Sequence, residues 1–183
     1  ELTNLTKAYG KNVVFSNLNF RIDRGEKIAV VGANGAGKST FSRILSGAEN
    51  IDAGDRKLGH KVSISHFAQD HAEKLDPNKN VLETIEEVAG SDSTGNLRSL
   101  LGCFLFRGDD VFKKVSVLSG GERSRLSLAK ILLKPANFLI LDEPTNHLDM
   151  ESQKVLQDAL ISYKGTIVIV SHNRDFLDPV TDK

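Results

Sequence analysis

Apolar positions recur along this chain at two spacings, and the changes between them lay out the elements. Leu18, Phe20 and Ile22 alternate with polar neighbours, the period of a half-buried antiparallel strand, and residues 2 to 31 as a whole read as strands. Arg24-Gly25-Glu26 makes a turn, and Ile28-Ala29-Val30-Val31 is a short apolar run expected to be buried on both faces. Thr40 to Leu45 takes helical spacing, and Val62 to Phe67 alternates again. From Asp70 to Val117 the texture changes: polar turns (Asp76-Pro77-Asn78, Gly90 to Gly95) separate short helical patterns, which predicts a helical insertion over about 70–117. The earlier rhythm then returns, with a helix over Glu122 to Leu133, a buried strand over Phe138 to Leu141, a helix over Glu151 to Ile161 and a β-branched strand over Thr166 to Val170. Strands alternating with helices imply an α/β fold: a mainly parallel sheet flanked by helices, with an antiparallel β subdomain in front of it.

Composition changes this picture little. The 183 residues suit one compact domain, and 39% hydrophobic with 26% charged residues is ordinary for a globular protein. Lysines and arginines balance aspartates and glutamates, so net charge gives no support for broad electrostatic attachment to nucleic acid or membranes. Cys103 is the sole cysteine, which rules out a disulfide within the chain; its setting, Gly102-Cys103-Phe104-Leu105-Phe106, reads as core packing. No apolar run approaches the roughly 20 residues of a membrane span. No signal peptide and a cytoplasmic location are expected. The chain opens on Glu1-Leu2-Thr3 without an initiator Met and closes on Thr181-Asp182-Lys183, so it reads as a slightly truncated domain excised from something longer.

Chemistry enters at Gly32-Ala33-Asn34-Gly35-Ala36-Gly37-Lys38-Ser39, which fits the phosphate-loop pattern without a mismatch between a predicted strand and a predicted helix. Glycines let successive N–H groups turn inward onto phosphate oxygens, and the helix start adds its positive end. Lys38 should reach the β and γ phosphates of ATP, and the Ser39 hydroxyl should ligate Mg²⁺. A chance match somewhere in a chain of this length is about one in a hundred, and the flanks lower it further. Phe138 to Leu141 runs into Asp142-Glu143, two acids at the carboxyl end of a parallel strand, where ligands sit in such sheets. Asp142 fits the Walker B role of holding Mg²⁺, and Glu143 is placed to polarise a water. A solvated acidic turn is the alternative, at even odds without the phosphate loop. Leu118-Ser119-Gly120-Gly121-Glu122 opens a helix. A serine N-cap explains Ser119, but two consecutive glycines cost backbone entropy and make sense only if exposed N–H groups must approach a phosphate.

Those five residues resemble the signature of the ABC ATPases, and the resemblance spans nearly the whole chain. It implies further stations, each filled here. Gln69 looks like the Q-loop glutamine that senses Mg²⁺ and the attacking water. Asp149, in Asn146-His147-Leu148-Asp149, looks like the D-loop aspartate, and His172 like the switch histidine on the γ-phosphate. Tyr9 resembles the A-loop aromatic that stacks on adenine, and Thr40 continues the phosphate loop's nucleotide contacts. His60, His66, His71 and His147 show no metal-ligand spacing. The resemblance also implies a mechanism: two such domains pack head to tail, each ATP lies between one domain's phosphate loop and the other's signature, and hydrolysis releases the pair. Ser119, Gly120 and Gly121 would complete a partner's site.

Within the superfamily, Glu143-Pro144-Thr145-Asn146-His147-Leu148-Asp149 is similar to the form of the ABC-F class, soluble tandem ATPases that act on the ribosome as translation or resistance factors. So are a signature ending in Glu122 and the stretch Leu101 to Val111, which is most like the second ATPase domain. Ser171 to Leu177 is similar too, although Asn173 departs from the aspartate usual after the histidine. The alternative is the ATP-binding subunit of an ABC transporter. Long coiled coils between the Q-loop and signature, as in DNA-repair relatives, are excluded, because no sustained heptads lie between Gln69 and Ser119.

Overall fold

The computed structural model describes residues 1–68, 75–89, 94–146 and 148–182; Gln69, His71 and His147 lie outside the described residues. The chain divides into two compact units, each built from separated stretches: 1–66 with 136–142 and 164–183, and 67–135 with 143–163.

The first unit carries both sheets. β1 (Leu2–Tyr9), β2 (Asn12–Phe20) and β4 (Ala53–Arg56) form an antiparallel sheet in the order β2-β1-β4. The strand β4 has no apolar alternation and is not legible in the sequence. It exists because β1 accepts it closely: at Gly54 (φ +91°) an added Cβ would lie 2.5 Å from the carbonyl oxygens of Thr3 and Asn4. The second sheet runs β3-β7-β6-β5, with β3 at Lys27–Val30, β5 at Ile64–Phe67, β6 at Phe138–Asp142 and β7 at Thr166–Val170. β7 pairs parallel with both β3 and β6.

β6 and β7 are buried along their whole length, as continuous apolar runs in a parallel sheet should be. β3 is not, which corrects the expectation for Ile28 to Val31. It ends the sheet among the described residues, only Ile28 is buried, and Val31 is 55% exposed beyond the strand.

Helix α1 (Lys38–Ser46) buries Phe41, Ile44 and Leu45 in one core with Leu2 and Leu5 of β1, Ile28, Phe138, Ile140 and Val168. Phe15 and Phe20 meet the Phe41 ring edge-on, at 6.2 and 5.3 Å between centroids. This packing fixes the helix that leaves the phosphate loop.

The second unit is helical: α2 (Val81–Ala89), α3 (Thr94–Cys103), 3-10 turns at Gly108–Phe112 and Val115–Val117, α4 (Gly120–Leu133) and α5 (Met150–Ser162). The predicted insertion is therefore helical, and its unit also takes in α4 and α5. Phe104 and Phe106 are buried, but Cys103 is exposed at the end of α3, contrary to the expected core thiol. The aromatic residues take the apolar side, and the small thiol just ahead of them is turned out. Glu87 on α2 ties this unit together by accepting from Lys130 on α4 at 2.8 Å and also from Lys79. A short helix α6 (Arg174–Leu177) follows β7 in the first unit.

Candidate nucleotide-binding site

The phosphate loop bridges β3 and α1 as predicted, and its glycines are needed for stated reasons. Gly35 and Gly37 take φ of +81° and +91°, and a Cβ on Gly37 would lie 2.5 Å from Val14 Cγ1. Lys38 folds back over the loop, donating from Nζ to the carbonyls of Gly32 (2.8 Å) and Ala33 (2.9 Å). Ala36 donates to the Ala33 carbonyl at 3.2 Å, and Phe41 starts the helical ladder by donating to Gly37 at 2.8 Å. Gly37 is the N-cap of α1 and offers no side-chain acceptor to the helix's first amides. Gly32, Asn34, Gly35 and Ala36 are exposed, Ser39 is half-buried and Thr40 buried.

Beside this loop lies Asp142, the last residue of β6 and only 4% exposed. The Ser42 hydroxyl on α1 sits 3.0 Å from both Asp142 Oδ2 and the Ser39 carbonyl. Asp142 Oδ1 is buried with no hydrogen-bond partner among the described residues. In register, Asp142 faces Val170 across the β6–β7 ladder, and Val30 faces Val170 from the other side. The phosphate loop after β3, Asp142 ending β6 and His172 after β7 therefore leave adjacent strands at the same carboxyl edge. That edge is where open α/β sheets bind ligands. His172 is exposed, on a segment held by buried Ser171. Asn173 caps α6 by accepting from the Phe176 amide at 3.2 Å, which an aspartate there would do equally, so this departure from the usual pattern is structurally neutral.

Glu143 follows β6 with φ +49°, a left-handed conformation that costs a side-chain-bearing residue about 1–2 kcal/mol. Strain of this kind collects where a side chain must be aimed.

In the helical unit Ser119 caps α4. Its Oγ accepts from the Glu122 amide at 3.2 Å, and Glu122 Oε2 accepts from the Ser119 amide at 2.7 Å. Those backbone and side-chain bonds from Ser119 hold the Glu122 carboxyl below the usual range. Ser119 and Glu122 thus have a structural duty, but Gly120 has none: it is exposed, and a Cβ there would meet nothing within 4 Å. Asp149 caps α5, accepting from the Ser152 amide at 2.8 Å. Arg125 of α4 reaches Asp149 Oδ2 at 3.5 Å and Ser152 Oγ at 3.2 Å while lying over the Phe106 ring. The signature helix and the D-loop cap are thereby joined by a residue the motif reading passed over. Ser42 was missed in the same way, although a serine between Phe41 and Ile44 on a buried helix face is itself a signal.

Tyr9 ends β1, 44% exposed, with the Lys7 ammonium 4.9 Å from its ring centroid. A separate hollow of about 470 Å³ in the same unit, lined by Arg21, Arg56, Lys57, His60 and Asn137, contains none of the motif residues.

A phosphate loop between strand and helix, with a buried carboxylate at the end of another strand of the same sheet, defines an ATP-binding domain of the P-loop class. The family model described as ABC transporter matches residues 15–146, and the chain belongs to that family, an ATPase family by class. It is 41% identical over 181 residues to ABC transporter F family member 2 of Arabidopsis thaliana, covering 98% of this chain and 27% of that protein. It is likewise 41% identical over 184 residues to the energy-dependent translational throttle protein EttA of Haemophilus influenzae, covering 98% and 33%. The chain thus spans about a quarter to a third of these relatives' length. Among solved structures it matches an archaeal ribosome recycling factor, in complex with a ribosomal stalk protein, with TM-score 0.82 and 29% identity over 99% of this chain and 35% of the other. A dimeric ATP-binding cassette bound to ADP and Pi shares the fold with TM-score 0.78 at 22% identity, over 98% of this chain and 90% of that one. Among the described residues no helix is long and apolar enough to cross a membrane.

Proposed function

We propose that this chain binds MgATP at the carboxyl edge of its parallel sheet and hydrolyses it when a second such domain closes over the nucleotide head to tail. The observation that carries the reading is the convergence of the phosphate loop, Asp142 and His172 at the ends of three neighbouring strands. Gly32 to Ser39 supply amides to the phosphates, Lys38 leaves its loop carbonyls for the β and γ oxygens, and Tyr9 stacks the base. The donor set fits Mg²⁺: Asp142 Oδ1 is a buried carboxylate oxygen with no donor among the described residues, and the Ser39 hydroxyl lies on the turn that Ser42 ties to the same carboxylate. When bound, Mg²⁺ neutralises charge on the β and γ phosphates. Glu143 orients and deprotonates the attacking water, with Gln69 and His172 as its companions around the γ-phosphate. Ser119, Gly120 and Gly121 close on the nucleotide of the partner, and Asp149 flanks that interface.

The domain is one of two in a longer cytoplasmic ABC-F protein that acts on the ribosome. Both the relatives' names and the Glu143–Asp149 sequence support this. The test is Glu143→Gln in that longer protein, saturated with ATP and sedimented from cell extract. ATP-dependent travel with ribosomes is expected. Travel with membranes would transfer the domain to a transporter, and ATP turnover at the unmodified rate would remove Glu143 from its role.

A further inference from the structure

Lys7 is a cation with almost no surface, 6% exposed in the middle of β1. Its ammonium lies 2.9 Å from Glu49 Oε1 and 3.7 Å from Asp52 Oδ1, and donates to the Asn50 carbonyl at 2.8 Å. Asp52 in turn accepts from the Ala8 amide at 2.7 Å through its other oxygen, and its own amide donates to the Thr6 carbonyl at 3.0 Å. The segment after α1 is thereby stitched to β1 immediately ahead of Tyr9. Burying an ammonium is costly, and an apolar residue could have packed a strand at no such cost. What the charge gains is a place 4.9 Å from the Tyr9 centroid. Tyr9 is still 44% exposed, so the ring face away from Lys7 is the accessible one.

Glu49 is shared with the helix α1. Arg43 also reaches Glu49 Oε2 and Thr40 Oγ1, both at 3.4 Å. Thr40 and Arg43 lie on α1, the helix that begins at Lys38. The ring therefore faces a cation whose carboxylate partner, Glu49, also meets Arg43 on the helix that leaves the phosphate loop.

We propose that Lys7 is a positioning residue for the nucleotide base, setting the Tyr9 ring and polarising it so that its outer face stacks adenine at a fixed distance from the phosphate cradle. The proposal rests on the reading of Tyr9 as the adenine platform. Both faces of an aromatic ring carry negative charge, which opposes the similarly electron-rich face of a purine. A cation behind the ring draws that density inward and leaves the outer face less repulsive. A lysine that merely fastened β1 to residues 49–52 would show the same contacts but would act equally on every ligand of the loop.

Two affinities measured on the full chain in the presence of Mg²⁺ separate these roles: that for ATP, and that for inorganic tripolyphosphate, which carries the phosphates without a base. Lys7→Gln keeps a donor for the Asn50 carbonyl and removes the charge. It should weaken ATP about fivefold and leave tripolyphosphate unchanged. In a Tyr9→Leu background it should cost ATP nothing further. An equal fall for both ligands, an unchanged ratio, or an additional loss in the Tyr9→Leu background would each overturn the proposal. Should Lys7→Gln alone not fold, Lys7→Gln with Asp52→Asn removes one of the two carboxylates left facing it while still accepting from Ala8, and the same two affinities decide. If Tyr9→Leu itself leaves the preference for ATP over tripolyphosphate intact, the platform reading of Tyr9 fails. If Tyr9→Leu abolishes that preference and Lys7→Gln does not, only the role of Lys7 fails.

Discussion

The Ser42 hydroxyl stands 3.0 Å from Asp142 Oδ2, joining the helix that leaves the phosphate loop to the acidic end of β6. The contact engages one oxygen of a buried carboxylate and leaves the other without a donor among the described residues, which orients Asp142.

Ser42→Ala should therefore act through the metal. We expect the Mg²⁺ concentration that half-saturates nucleotide binding to rise about tenfold, as for other outer-shell partners of a ligating group. Stability should fall by about 1–3 kcal/mol from the stranded buried oxygen. Excess Mg²⁺ should restore binding; an unaltered Mg²⁺ requirement would leave Ser42 with a packing role alone.

Two glycines should part company. Gly37→Ala places a Cβ at φ +91° and 2.5 Å from Val14, so it should destabilise the chain by at least about 1–2 kcal/mol and abolish nucleotide binding. Gly120→Ala meets nothing within 4 Å and should leave the melting temperature unchanged or slightly raised. ATP-dependent association, followed by light scattering, should nevertheless be lost. Normal association in a folded Gly120→Ala chain would show that the signature glycine faces no partner.

Lys38→Ala removes the side chain now bonded to the Gly32 and Ala33 carbonyls. MgATP binding measured by calorimetry should fall below detection, while the fold persists, since Lys38 contributes nothing to the core around Phe41. Undiminished affinity would count directly against the phosphate-loop assignment.

Glu87 should mark the acid limit of the helical unit. Its bonds from Lys130 and then Lys79 lower its carboxyl from 4.5 to about 2. A folded-state value below the unfolded one adds stability that is present above about pH 4.5 and is lost as the pH falls towards 2. Because the side chain is 37% exposed, solvent screens the contribution to no more than about 1 kcal/mol. Glu87→Gln should lower stability at neutral pH by up to about 1 kcal/mol and flatten its pH dependence over that window, so that the two proteins converge as the pH approaches 2. Curves that superimpose throughout would remove the bridge from the unit's energetics.

What the sequence displayed and what it hid follow from a few residues. β6 and β7 were plain because an uninterrupted apolar run between turn signals has few other uses. The phosphate loop was plain because its glycines serve a steric need that few other turns share. β4 was hidden because Ala53 to Arg56 are held by backbone pairing to β1 and by the Arg56 side chain on the Leu45 carbonyl, which leaves no hydrophobic period. Val31 and Cys103 misled because local composition does not report a strand at the edge of its sheet or a residue at the end of its helix. Ser42, Arg125 and Lys7 escaped because each works through a partner distant in sequence, and spacing along the chain carries no trace of such pairs. Asn173 looked like a departure only until its capping bond showed that the position calls for an acceptor and not for a charge.

Gly120 leaves one matter that concerns pairs of domains more than any single one. Its missing side chain gives nothing to the chain that carries it, so on the proposed reading it is maintained for the sake of another domain's nucleotide. A lesion there would be silent in every assay of the lone chain, of its folding, and of its first encounter with ATP. In a protein that carries two such domains, damage at this position would disable the pocket of the neighbouring domain, whereas damage at Lys38 stays with the site that bears it.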